Sequence, residues 1–75
     1  MNVHDLRDWI LSLAQDIEFE YAGHHGVVSP WNKHSFTLCY NGASKDYNDI
    51  DKLMSDTTFN GLSLNQIVEE LQFVN

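Results

Sequence analysis

With 75 residues the chain has room for one domain, 1–75, and not two. A hydrophobic fraction of 43% with 12% aromatics excludes a disordered chain, and a lone cysteine, Cys39, excludes an internal disulfide. Eleven acidic against four basic side chains give a formal charge of −7, which argues against direct nucleic-acid binding and against anionic membranes, since both depend on Lys and Arg.

The first element reads as an amphipathic helix from about Val3 to Asp16. Leu6, Ile10, Leu13 and Ile17 recur at helical spacing, with Trp9 and Ala14 beside them. Asn2 is placed to cap it, and Asp5 stands three residues on, where the acid of a capping box belongs. The period then changes to two: Ile17, Phe19 and Tyr21 alternate with Glu18 and Glu20, the pattern of a half-buried strand with one acidic face. Gly23-His24-His25-Gly26 is expected to end that strand in a loop. Val27 to Lys33 reads two ways, because Val27 and Val28 extend strand pairing while Pro30, the only proline, argues against a central strand.

A second strand is expected from about His34 to Tyr40, with Phe36, Leu38 and Tyr40 on one face and Thr37 and Cys39 on the other. Asn41-Gly42 is a hairpin turn signal, and Ala43 to Asp46 would return as a short polar edge strand. Asn48 with Asp51 resembles a helix cap ahead of Ile50, Leu53 and Met54. After a break at Asn60-Gly61, Ser63 and Gln66 fit a capping box for a last helix burying Leu64, Ile67, Val68 and Leu71, with Phe73 and Val74 as its tail. The expected fold is therefore α+β: an N-terminal helix, a small two- or three-stranded antiparallel sheet, and two C-terminal helices packed on one side of it.

The chemistry-bearing residues give no enzyme signature. His24 and His25 are adjacent, so on an extended chain their rings point opposite ways, and His34 is the nearest other histidine. Zinc sites instead show paired ligands at local spacings, so no metal or other cofactor is expected. Cys39 lies mid-strand in an acidic chain, without the electropositive setting that makes a thiolate nucleophile. Glu18 and Glu20 share a face about 7 Å apart, but nothing in the sequence supplies the apolar pocket that acid–base pairs require. The segment from Asp46 to Asp51 fails as a calcium loop, because Asp51 stands where glycine is needed. The final helix carries Glu69 and Glu70 and no basic residue, so it would repel DNA.

What remains is binding. Trp31 follows Pro30 in the irregular segment; large aromatics in such places are enriched at interfaces, and folding over the sheet as a lid on the core suits a tryptophan equally. The expected contact residues are Trp31 with His24, His25 and His34 of the Gly23 to His34 loop, or the Glu18/Glu20 face. The expected function is a non-enzymatic protein-binding or regulatory module, with a basic protein as the fitting partner. An acidic inhibitor that mimics nucleic acid comes second, and a small metal protein using the histidines third. A domain this small is marginal by itself, which leaves a homodimer open. Met1 to Gln15 is interrupted by Asp5, Arg7 and Asp8 and does not read as a signal peptide. No apolar run approaches the roughly 20 residues of a membrane span, so a reducing cytoplasm is the expected location.

Overall fold

Local signals set most element boundaries. Asn2 has extended backbone, and its Oδ1 accepts from the Asp5 N–H at 2.8 Å, which starts α1, Val3–Leu11. The helix stops well short of Asp16. The Ser12 hydroxyl donates to the Trp9 carbonyl at 2.6 Å, and Leu13 enters the left-handed region at φ 56°, which no helix can continue through. Leu6 and Ile10 are fully buried from this short helix, whereas Leu13 and Ile17 fall outside it.

The computed structural model describes residues 1–74 and contains a five-stranded antiparallel sheet, not the two or three strands expected. The strands are β1, Ile17–Tyr21; β2, His24–Asn32; β3, Ser35–Tyr40; β4, Ala43–Tyr47; and β5, Gln72–Phe73, in the order β4-β3-β2-β1-β5. Two features account for the difference. First, Gly23-His24-His25-Gly26 is not a loop. The turn is Ala22-Gly23, with φ 52° and 81°, the same doubly left-handed pair as Asn41-Gly42 at 51° and 82°. Both are two-residue hairpin turns whose twist matches the flanking strands. His24 and His25 therefore already belong to β2. Second, Phe73 is not a helix tail: β5 pairs with β1, Phe19 opposite Phe73 and Glu20 opposite Gln72, and the Val74 N–H bonds the Glu18 carbonyl.

Pro30 sits in the middle strand of the sheet, where its missing N–H should break a ladder. The register explains how it is tolerated. The Asn41 N–H donates to the His25 carbonyl, so the β2–β3 pairs alternate with His25/Asn41 bonded and Pro30/Phe36 unbonded. The Pro30 nitrogen then faces β1, whose first residue, Ile17, pairs with Val28, so no residue of β1 pairs with the proline. At that point β2 is an edge. Just beyond, the register slips between Pro30 and Asn32, leaving Trp31 as the extra residue of a bulge.

The C-terminal helices are also shorter than expected. Asp49, not Asn48, caps α2, Ile50–Ser55, its Oδ1 accepting from the Asp51 N–H at 2.7 Å. The last helix is a single turn, α3, Leu64–Ile67, followed by a 3-10 turn over Val68–Glu70. The Gln66 side chain does reach back to the Ser63 N–H at 2.9 Å, as a capping box requires. α1 packs on β2, and α2 packs on β3 and β4, all on one face of the sheet. Ile17, Phe19, Val28, Phe36 and Leu38 point into that side and meet Leu6, Ile10, Leu53, Met54, Phe59 and Ile67. No described helix is long and apolar enough to cross a membrane.

Candidate functional site

The helices cover one face of the sheet only. On the other face, alternation along four strands places Glu18 and Glu20 of β1, His25, Val27, Ser29 and Trp31 of β2, Thr37 and Cys39 of β3, and Ser44 and Asp46 of β4. The acids, His25, Trp31 and Ser44 are exposed, and the four small residues at the centre are half-buried among their neighbours. The result is a shallow floor of small side chains with Glu18 and Glu20 at one corner and Trp31 with Asp46 at the opposite one.

Trp31 is 68% exposed, the most exposed large hydrophobic residue described. It is not loose. Its indole N–H donates to the Thr37 hydroxyl at 2.9 Å, and that hydroxyl donates in turn to Asp46 Oδ1 at 2.7 Å. The chain of bonds crosses β2, β3 and β4, so the ring is anchored at its polar edge while its apolar area stays open to solvent. At the other corner, His25 Nε2 lies 3.4 Å from Glu18 Oε1, an ion pair whenever the imidazole is protonated.

Of the residues expected from sequence to form a contact surface, this face brings together Trp31, His25, Glu18 and Glu20. It does not include His24, which projects to the helix side of the sheet and packs edge-on against Tyr40 at a ring separation of 5.9 Å. Nor does it include His34, which lies in the exposed turn between β2 and β3. The expected Gly23 to His34 binding loop is itself a strand and its turn. Thr37 and Asp46 were not legible as site residues, although the alternation of Phe36, Leu38 and Tyr40 already put Thr37 on the far face. Among the described residues no three His, Cys, Asp or Glu side chains converge as a metal site would require.

The helix side carries a different polar cluster. Asp56 Oδ2 accepts from Tyr47 Oη at 2.5 Å and from Lys45 Nζ at 2.6 Å, and Tyr47 Oη lies 3.2 Å from Thr58 Oγ1. Beside it is an open notch of about 430 Å³ lined by Lys45, Tyr47, Lys52, Ser55 and Asp56. That volume would suit a small molecule, but the notch's own acid, base and phenol already satisfy one another, so the cluster reads as a structural clasp between β4 and the end of α2.

The clasp has a pH signature. The hydrogen bond from Lys45, then that from Tyr47, holds the Asp56 carboxyl below its ordinary 3.8, and the hydrogen bond to Asp56 raises the Lys45 ammonium above its ordinary 10.5. Burial, then the bond to Asp56, raises the Tyr47 phenol above 10.0. A depressed carboxyl contributes stability that is present above pH 3.8 and is lost as pH falls through its lower folded value. The raised groups contribute stability lost as pH climbs past 10.0 and 10.5. In urea titrations Asp56→Asn is expected to remove part of the drop in stability below pH 3.8 and part of the drop above pH 10.0. Parallel curves for the variant and the parent protein would mean that the clasp is not formed in solution.

Compared with known proteins, the chain matches no family model, no curated protein and no solved structure. Function is therefore read from the geometry of this surface.

Proposed function

We propose that this chain is a non-enzymatic protein-binding or regulatory module whose contact surface is the helix-free face of the sheet, with Trp31 as its anchor. The observation that carries the reading is the indole of Trp31. A large ring 68% exposed costs solvation, yet a bulge and two hydrogen bonds hold it in place rather than letting it fold inward. Buried tryptophans at interface centres are the commonest binding hot spots, and a pre-anchored one loses little entropy on contact. The surrounding floor of Val27, Ser29, Thr37 and Cys39 is flat and small enough for close approach. With Cys39 unpaired, a reducing compartment such as the cytoplasm suits the protein.

Titrating a cell extract of the source organism into isotope-labelled protein tests this. The amide signals of Glu18, Val27, Ser29 and Thr37 and the indole N–H of Trp31 are expected to shift or broaden, while those of α1 stay fixed. No perturbation of that face, or one centred on the helices, would refute it. Trp31→Ala is expected to abolish the effect while changing stability by no more than about 0.5 kcal/mol, because an exposed side chain contributes little to folding.

A further inference from the structure

The open face carries acids and a tryptophan but no Lys or Arg among the described residues, and that chemistry names its occupant. Resting on the binding role proposed above, we infer that the face takes a basic protein segment through an arginine stacked on Trp31 and paired with Asp46, with a second cation at Glu18 and Glu20. Away from that face the cations are already engaged with acids of their own: Asp51 pairs with Arg7 and Asp56 with Lys45. On the open face Glu18, Glu20 and Asp46 have no Lys or Arg partner among the described residues, and the one imidazole there, His25, lies 3.4 Å from Glu18. Lys33, the nearest basic residue in sequence to Trp31, lies in the turn beyond it. Three carboxylates without a Lys or Arg partner around a neutral floor make a surface complementary to cations.

Geometry selects arginine over lysine at the Trp31 corner. Thr37 occupies Asp46 Oδ1 and fixes the carboxylate close to the indole edge. A planar guanidinium can lie on the indole face and still direct a fork of N–H donors at the carboxylate, whereas an ammonium has no flat face to stack. The two acidic corners stand on β4 and β1, three strand spacings across and two to four residues along the strands, roughly 16–20 Å apart, a distance that two long arginine side chains four residues apart in an extended chain can span. A second copy of this protein is a poor occupant, since it would bring Glu18, Glu20 and Asp46 of two chains together.

The probe is an acetylated, amidated pentapeptide with arginine at both ends and a Ser-Gly-Ser centre, set against the same peptide with terminal lysines or with neutral citrullines. Binding is followed by the Trp31 indole N–H and the amides of Glu18, Glu20, Thr37 and Asp46. The arginine peptide is expected to shift these signals with the highest affinity, the lysine peptide more weakly, and the citrulline peptide not at all. Asp46→Asn and Trp31→Ala are each expected to weaken the arginine peptide roughly three- to tenfold, the scale of one cation–π contact or one charged hydrogen bond. Equal binding of the arginine and citrulline peptides, shifts confined to Asp5, Asp8, Glu69 and Glu70, or no shift at all would overturn the inference. If the extract still perturbs the open face while the arginine peptide does not, the basic occupant is wrong and the binding face stands. If the extract leaves the face untouched, the binding role itself falls.

Discussion

Phe59→Ala is expected to cost about 3–5 kcal/mol, the range for deleting a fully buried phenylalanine. Phe59 is 1% exposed and sits under the sheet where three aromatic residues converge: its ring centre lies 4.6 Å from Tyr40, 5.8 Å from Tyr21 and 6.2 Å from Phe19. It reaches that place from a miniature hairpin in which Phe59 and Leu62 bridge across Asn60-Gly61, between α2 and α3. Truncation leaves a cavity that the surrounding rings cannot collapse into, because Tyr40 is tied by its hydroxyl to the Tyr21 carbonyl at 2.8 Å. A 75-residue domain holds only about 4–11 kcal/mol in total, so this one change should consume a large part of its stability. Thermal unfolding followed by circular dichroism should show a drop of more than roughly 12 °C. A drop of a few degrees would mean that the hairpin carrying Phe59 contributes little to the core.

Gly26→Ala should destabilise by about 1–3 kcal/mol, against the usual sign for such a change. Gly26 lies mid-strand in β2 outside the left-handed region, so its backbone would accept alanine, and the lower entropy of the unfolded chain would normally favour the variant by about 0.4–1 kcal/mol. Here a Cβ would stand 2.3 Å from Cζ of Phe19 and under 3 Å from both neighbouring ring carbons. Phe19 crosses directly over the glycine from the paired strand and is itself pinned against Tyr40 and Phe59. The ring cannot yield without disturbing the whole aromatic group. Phe19→Leu combined with Gly26→Ala should recover part of the loss relative to the sum of the single variants. Strict additivity would show that the two residues are not in contact.

Both variants act on the side of the sheet opposite Trp31, which separates folding from binding. Residues that stabilise the protein point toward the helices, and those assigned to binding point away from them. Trp31→Ala and Asp46→Asn should therefore leave the melting curve where Phe59→Ala and Gly26→Ala move it.

The sequence by itself determined the features that depend on neighbours a few positions apart. Asn2 starts α1, the alternation from Ile17 to Tyr21 makes a strand with Glu18 and Glu20 on one face, Asn41-Gly42 turns a hairpin, and Gln66 reaches back to Ser63. Each of these is decided by a side-chain bond, a period or a permitted dihedral within one short segment. Only the tertiary structure decided the rest. β5 has two residues, too few for any period, and exists because β1 offers it an edge. Pro30 is tolerated in the middle strand because β1 starts too late to need its N–H, which is a matter of register between segments. The Trp31–Thr37–Asp46 chain joins three strands, so no local pattern could reveal it. The acidity follows the same division. The composition fixes the charge at −7, but which carboxylates are paired with Arg7 and Lys45 and which face solvent on the open sheet is set by how the helices cover one side and leave the other bare.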